Sequence, residues 1–323
     1  MDRRRTEPTA PRLERLADEM VEEGVGFVLD DDEHATTLLE ELDYALRPPV
    51  HERRIPSYGA IVGPTTPVES WVVTTELVAE LRPMDEFGDA EVRRFADGIS
   101  SWAIRDGGGV DGLVVFDRSA SSERDIVILT GASGGQLVQR HPSGIVRIVG
   151  PHGVVRRDIT GWHHEPPLES WLDGIPGCRE SGHLTTLGLL LDFAVHDLGS
   201  RGVGSLLILH PTGDLGVVHE QRMPVPPALR IDRPYDLAPL RPALAQTDGA
   251  TVFDHTGTLR RMGVRLVPSR AAETEVRPIG GTRHTSARRF SYDVPEAVVI
   301  AVSDDGPVTV LQAGSLLGRS KGD

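Results

Sequence analysis

The sequence has a single cysteine, Cys178, among its 323 residues, so it offers neither an internal disulfide nor a cysteine-based metal cluster. Uninterrupted apolar runs of membrane-spanning length are also missing. The opening residues, MDRRRTEPTAPRL, are basic but lack the apolar core of a signal peptide. These features suit a reducing compartment, and we expect a soluble cytoplasmic protein.

An excess of basic residues is absent as well. The chain has 34 lysines and arginines against 48 aspartates and glutamates, which gives a formal net charge of −14. Nonspecific binding to nucleic acid or to an anionic membrane needs the opposite balance, so we expect neither partner. The 39% hydrophobic and 25% charged residues are typical of globular proteins, and the length suffices for two domains.

Prolines and glycines cluster in the segment HHEPPLESWLDGIPGCRES, which begins at His163 and favours a domain boundary. We therefore predict an N-terminal α+β domain over residues 1–170 and a second domain over residues 178–318. The predicted fold class is α/β (α+β). In the second domain an apolar helical stripe is followed by parallel-capable and hairpin strands, which predicts a mixed sheet flanked by helices.

The first half carries both helical and strand patterns. Apolar residues at helical spacing predict helices around 13–20 and 38–42, and another that begins at Asp89 and reaches Ala103. Strands are predicted at 71–74, 112–116, 125–129, 144–149 and 153–156. Prolines between residues 47 and 67 favour a loop or an edge strand, and the segment 163–165 favours a surface loop over metal ligands.

Two short motifs in the second half carry the chemistry. The first, DGATVFDHTGTL, begins at Asp248, and the second, GGTRHTSARRFS, begins at Gly280. The second opens a predicted helix, where backbone N–H groups bind phosphate and Arg283 supplies a forked cation. Asp248 starts a predicted strand and is suited to the divalent ion that accompanies a nucleotide, with a plain turn aspartate as the alternative.

The order of the motifs and the 35 positions from Asp248 to Arg283 resemble the diadenylate cyclase (DAC) family, also called the DisA N-terminal domain family. The hallmarks of that family are Asp-Gly-Ala and Gly-Thr-Arg-His-Arg, which stand here as DGA from Asp248 and GTRHT from Gly281. The following segment, VVIAVSDDGPVTVLQAG, parallels the strand of the family that ends in a Ser-acid-acid turn. The resemblance covers about residues 182–314 and implies a DAC-like mixed sheet flanked by helices.

The resemblance implies that two ATP molecules are condensed into cyclic di-AMP with release of pyrophosphate, with Mg²⁺ or Mn²⁺ as cofactor. The active site would lie between two facing subunits, so the implied partners are ATP and a second copy in a homodimer or higher homo-oligomer. The N-terminal domain would be sensory or regulatory. The alternative is a nucleotide-binding sensor module with weak or no catalysis.

The resemblance also assigns candidate site residues. The catalytic candidates are Asp248, Arg283 and His284. The nucleotide-binding candidates are Gly249, Ala250, Leu266, Gly281, Thr282, Thr285 and Ser286. The metal-binding candidates are Asp248, Asp304 and Asp305. Alternatives stay open for four further residues: helix capping for His284, core packing for Leu266, and a plain Asp-Asp-Gly turn for Asp304 and Asp305.

Thr285 departs from the family pattern, which has a second arginine at this position. A neutral hydroxyl in place of a fixed cation is expected to lower phosphate affinity or to shift specificity. Ser286, Arg288 and Arg289 are candidates to compensate, although neither arginine shares a helical face with Arg283.

Overall fold

The computed structural model describes residues 9–30, 33–50, 52–84, 87–106, 110–172, 175, 184–216, 219–221, 223–304 and 308–319. The chain divides into two compact units, Met1–Pro167 and Leu168–Asp323. Each unit has one mixed sheet flanked by helices, which confirms the predicted α/β fold class. Within the described ranges, no helix is both long and apolar enough to cross a membrane.

The first unit is built around an eight-stranded sheet. Its helices are α1 (Ala10–Glu22), α2 (Ala35–Leu46), α3 (Val72–Thr75), α4 (Asp89–Val92) and α5 (Glu123–Ser133). Its strands are β1 (Tyr58–Val62), β2 (Ala79–Arg82), β3 (Ser101–Arg105), β4 (Val110–Phe116), β5 (Gln136–Arg140), β6 (Val146–Gly150), β7 (Gly153–Asp158) and β8 (Gly161–Glu165). The strand order is β2-β4-β3-β1-β5-β6-β7-β8. Strands β1 and β3 are parallel, and the other neighbours are antiparallel.

Two predictions for the first unit are wrong, because the positions of its prolines and of Gly98 decide where its strands and helices end. The proline-rich segment 47–67 contains β1, a central strand whose five residues are all buried, because the prolines flank the strand and do not interrupt it. The helix predicted from Asp89 ends at Val92, and Ala103 lies in β3. Between them, Gly98 has φ +65°, and a Cβ there would lie 2.2 Å from the carbonyl oxygen of Tyr58.

In three further segments the observed type of element differs from the predicted one. Residues 125–129, predicted as a strand, belong to α5, which Ser122 and Asp125 start with a capping box. Residues 71–74, also predicted as a strand, fall largely in α3, where the backbone N–H of Thr75 donates to the carbonyl of Trp71 in a helical bond at 2.9 Å. The predicted surface loop 163–165 is the end of β8. A short apolar run has no period long enough to separate helix from strand.

The second unit has a seven-stranded sheet. Its helices are α6 (Glu169–Leu172), α7 (Leu184–Asp192), α8 (Pro234–Ala245), α9 (Arg270–Glu275) and α10 (Thr282–Asp293). Its strands are β9 (Ser205–Leu209), β10 (His219–Gln221), β11 (Ala250–Phe253), β12 (Leu259–Leu266), β13 (Val298–Val302), β14 (Val308–Gln312) and β15 (Ser315–Arg319). The order is β10-β12-β11-β9-β13-β14-β15, and only β9 and β11 are parallel among these described strands.

The sheet of the second unit is covered on both faces. Helix α7 continues as a π-helical turn, Phe193–Leu198, and packs with α8 in one apolar core. Helix α10 inserts Ala287 and Phe290 into the other core. The edge strands β10 and β15 were not predicted, since β10 has only three residues and the residues of β15 are largely exposed. The two parallel strands therefore lie side by side near the middle of the sheet and begin at the same edge.

A buried carboxylate holds α2 to the sheet of the first unit. The side chain of Glu41 is fully buried and accepts a hydrogen bond from the Tyr58 hydroxyl. It also accepts two from Arg93, from Nη2 at 2.8 Å and from Nε at 3.1 Å. Arg105 approaches the same carboxylate to 2.5 Å. Burial, and next the negative charge of Glu41, raises the pKa of Tyr58 well above its ordinary value. Glu41 therefore balances the charge of two buried arginines.

Glu41→Gln keeps the shape of this side chain but removes the buried negative charge that faces both Arg93 and Arg105. We expect the melting temperature of the first unit to fall by about 10 °C, measured by calorimetry. The matched control is Glu40→Gln, because Glu40 pairs with Arg105 at 2.9 Å and is 30% exposed. The control should lower the melting temperature by about 3 °C or less, and equal losses would contradict the assignment.

Candidate functional site

A cavity of about 450 Å³ lies in the second unit, where β9, β11 and α10 begin and β12 ends. Its lining brings the two sequence motifs together. The lining residues are Leu206, Asp248, Gly249, Ala250, Gly263, Val264, Arg265, Leu266, Thr282, Arg283 and Ser286. A carboxylate, two guanidinium groups, two hydroxyls and an apolar floor thus face one space, which is the usual make-up of a small-molecule site.

The first motif places Asp248 at the mouth of the cavity. Asp248 is exposed and lies two residues before the start of β11 at the buried Ala250. Gly249 has φ +100°, and a Cβ there would lie 2.8 Å from the carbonyl oxygen of Val264. Only glycine meets both conditions, because the chain turns there in a left-handed conformation and touches the backbone of β12. Gly249 therefore sets the position of the Asp248 carboxylate.

The second motif starts α10 at the cavity wall. Gly280 has φ +52°, and the extended Gly281 is the N-cap residue, whose carbonyl accepts from the N–H of Thr285 at 3.1 Å. Thr282 and Ser286 stand one turn apart on the helix face that lines the cavity. The backbone N–H groups of a first helical turn bind anions, so this wall is suited to phosphate.

Arg283 is held in place by two acceptors. Its Nη1 atom donates to the carbonyl oxygen of Val302 at 3.1 Å and to Oδ1 of Asp304 at 3.0 Å. A Cβ added at Gly204 would lie 1.5 Å from that Oδ1 atom and 2.4 Å from Nη1 of Arg283. The missing side chain of Gly204 therefore leaves the space in which the ion pair forms. Sequence reasoning missed Gly204, although a glycine just before a buried strand is a sign of close approach.

The remaining predicted site residues divide into two groups. Leu266 lines the cavity and also packs against the adjacent core, so both interpretations of this residue describe its position. Among the described residues, Gly281, His284 and Thr285 do not belong to the lining. The hydroxyl of Thr285 donates to the carbonyl oxygen of Ile279 at 3.1 Å, which ties the helix to the loop before it.

Arg288, a candidate to compensate for Thr285, has another role. Its Nε donates to the carbonyl of Gly314 at 2.8 Å, and its Nη1 donates to the carbonyl of Arg277 at 3.1 Å. These bonds join α10 to the turn between β14 and β15 and to the loop after α9. A side chain used in this way does not supply a cation to the cavity. Of the candidates, the neutral Ser286 lines it.

The carboxylates predicted to bind metal do not form a complete site of protein ligands. Asp248 lines the cavity, Asp304 pairs with Arg283, and Asp305 lies outside the described residues. Over the described part of the chain, no group of three or more His, Cys, Asp or Glu side chains is arranged to hold a metal ion. Mg²⁺ in nucleotide sites needs only one or two carboxylates, because phosphates and water complete its shell. Asp248 fits that requirement.

The structure adds a second cation that the motifs do not contain. Arg265, on β12, lines the cavity beside Leu266. The strand pattern marks it only as one of several exposed arginines, so sequence reasoning had no signal that singled it out.

Comparison with known proteins matches part of each unit to a family model. Residues 193–316 match the family model described as "DisA bacterial checkpoint controller nucleotide-binding", DAC. Residues 14–165 match the model described as "Probable sensor domain DACNK". Comparison with curated proteins gave no match.

Two solved structures are similar to part of the chain. One is a hypothetical membrane spanning protein from Bacillus cereus, with 20% identity and a TM-score of 0.33 over 48% of this chain and 68% of its own. The other is a double mutant of DacA from Staphylococcus aureus, with 19% identity and a TM-score of 0.28 over 47% of this chain and 87% of its own.

The contact at Gly204 can be tested by a double-mutant cycle with Asp304. Gly204→Ala alone overpacks the ion pair, and we expect it to destabilise the second unit by about 1–3 kcal/mol, measured by calorimetry. In an Asp304→Ala background the overlapping carboxylate is gone, and the same change should then cost less than about 1 kcal/mol. Equal costs in both backgrounds would show that the contact does not limit this position.

Proposed function

Because residues 193–316 belong to the DAC nucleotide-binding family, as the two motifs predicted, we propose that this protein is a diadenylate cyclase that makes cyclic di-AMP from two ATP molecules. The observation that carries the proposal is the cavity in which Asp248, Thr282 and Arg283 meet. Nucleotide binding by this unit follows from the family, and the turnover of ATP is our inference.

The reaction forms and breaks one bond in each half. The 3′-hydroxyl oxygen of one ATP attacks the α-phosphorus of the other, a new O–P bond forms, and the bond to pyrophosphate breaks. Repetition with the roles exchanged closes the ring. In this scheme the Asp248 carboxylate accepts the proton of the attacking hydroxyl, and its exposure leaves it accessible to substrate.

Charge neutralisation is the other requirement. Phosphoryl transfer depends on positioning and on cations that meet the negative charge of the leaving group. Arg283 is suited to this role because Val302 and Asp304 fix its Nη1 atom while its side chain stays 36% exposed. The start of α10 offers backbone N–H groups on the same wall. His284, one residue along, is proposed to orient these groups.

A divalent cation completes the proposed site. Asp248 is the carboxylate that would hold Mg²⁺ or Mn²⁺ together with the phosphates of ATP. When bound, such an ion supplies positive charge that offsets the charge of the triphosphate. Asp304 and Asp305 remain proposed second ligands, and for Asp304 this role would compete with its bond to Arg283.

The proposed assembly is a homodimer in which each subunit holds one ATP and the two sites face each other. The two halves of the product are identical, so a twofold axis through the site satisfies both attacks with one set of residues. The N-terminal unit, which matches a family of sensor domains, is proposed to regulate this reaction. We place the reaction in the cytoplasm, where ATP is available, and expect no nucleic-acid or membrane partner.

The direct test is incubation of the purified chain with ATP and Mg²⁺ or Mn²⁺, followed by chromatography for cyclic di-AMP. Asp248→Asn should lower the rate by about 100-fold or more without changing the melting temperature. Asp214→Asn is the matched control, because Asp214 is 74% exposed and lines a different cavity. An active Asp248→Asn variant would remove Asp248 from the mechanism.

The second candidate function is a nucleotide sensor that binds ATP without turnover, which Thr285 favours because it removes a cation from the family motif. The same incubation separates the two functions. Binding of ATP without cyclic di-AMP would establish the sensor, and product would establish the cyclase.

Dimer dependence gives a separate prediction. If both subunits supply a nucleotide, the rate per subunit should fall as the protein is diluted below its dimer dissociation constant. Sedimentation at the same concentrations measures the dimer fraction. A specific activity that stays constant while dimers dissociate would contradict the facing-subunit arrangement.

A further inference from the structure

Arg265 lines the cavity, and its ion pair with a neighbouring carboxylate is weak enough to be exchanged. It lies directly opposite Glu220 on the neighbouring strand β10, and its Nη1 atom is 3.3 Å from Oε2 of Glu220. The Arg265 side chain is 58% exposed and the Glu220 side chain 55% exposed. An exposed pair of this kind stabilises a fold by about 0–1 kcal/mol. Arg265 therefore exchanges this carboxylate for another anion at little cost.

The other basic side chains near the start of α10 are more firmly engaged. Arg283 has two acceptors, Asp304 and a backbone carbonyl, and Arg288 donates to two backbone carbonyls away from the cavity. The hydroxyl of Thr285 is bonded to the loop before the helix. Of the two arginines that line the cavity in the described part of the chain, Arg265 has the more exposed side chain, 58% against 36% for Arg283, and the longer contact with its carboxylate, 3.3 Å against 3.0 Å.

The balance of charge in the cavity gives such a cation a purpose. Asp248 contributes a negative charge to the lining, and Arg283 is already matched by Asp304. A nucleotide polyphosphate brings several more negative charges into a space of about 450 Å³, where a cation on the wall lies close to any bound ligand. A planar guanidinium with paired donors is well suited to phosphate oxygens.

We propose that Arg265 is a second phosphate-binding cation of this site, and that it exchanges Glu220 for the polyphosphate when the nucleotide binds. This inference rests on the proposed nucleotide function. It assigns to β12 a charge that the first turn of α10 lacks because of Thr285. It also makes Glu220 a competitor of the ligand, so loss of the Glu220 charge should tighten binding.

The test is calorimetric titration of the full chain with α,β-methylene ATP, whose bridging carbon prevents release of pyrophosphate, in the presence of Mg²⁺. Arg265→Ala should raise the dissociation constant by roughly 10- to 100-fold. Glu220→Gln should lower it by up to about fivefold, as expected for release of an exposed ion pair. Adenosine, which has no phosphate, should bind equally to the wild type and to Arg265→Ala.

Arg261→Ala is the matched control. Arg261 lies on the same strand, donates to the carbonyl of Gly213 at 3.3 Å and lines a different cavity, so the variant has the same net charge as Arg265→Ala. Its dissociation constant for the ATP analogue should stay within about twofold of the wild-type value.

The outcomes separate the inference from the proposed function. A wild-type chain that does not bind the ATP analogue overturns the nucleotide function itself. A wild-type chain that binds, with Arg265→Ala equal to Arg261→Ala, overturns the role of Arg265 and leaves the nucleotide function standing. Equal losses for adenosine and the ATP analogue would assign Arg265 to the nucleoside and overturn its assignment to phosphate.

Discussion

The cavity depends on a glycine that directly precedes each of two adjacent strands. Gly204 precedes β9, and its bare Cα leaves room for the bond between Arg283 and Asp304. Gly249 precedes β11 and turns against the backbone of β12. Because β9 and β11 are parallel neighbours, both gaps open at the same edge of the sheet. The start of α10 lies at this edge, so the two glycines allow an ion pair and a tight turn to form beside the cavity.

Charge is used differently in the two units. In the first unit, Glu41 and Glu123 are fully buried, and each is paired with two arginines. Such groups fix the packing of a helix on a sheet and cannot change partner without a large penalty. In the cavity of the second unit, Asp248 and Arg265 are exposed, and Arg283 keeps part of its surface free. Charged side chains that are still solvated in the folded protein remain available to bind an ionic ligand, because folding has not buried them.

The sequence predicted the local parts of the site better than the parts that come from distant segments. Each motif is a continuous turn whose geometry follows from its own residues, so six residues of the two motifs line one cavity. They are Asp248, Gly249, Ala250, Thr282, Arg283 and Ser286. Gly204 and Arg265 were missed. Gly204 is in contact with Asp304 and Arg265 pairs with β10, and neither contact leaves a pattern in the adjacent sequence.

The secondary structure was also predicted better where it depends on local sequence than where it depends on distant segments. The apolar stripes of α1, α2 and α7 were predicted, since a long helical period is visible in one segment. Strand β1 was missed because its central position depends on pairing with β3 and β5, which lie more than 40 positions away. The apolar run of α5 was read as a strand, although Ser122 and Asp125 were present as a helix start signal.

The side chain of Thr285 holds the loop before α10 and supplies no positive charge. Its hydroxyl anchors the carbonyl of Ile279 and so restrains the two glycines that lead into α10. An arginine at this position would add a cation and would remove the hydroxyl from which this carbonyl accepts. A change of Thr285 to the family arginine would therefore exchange a short tether between helix and loop for a longer, positively charged side chain.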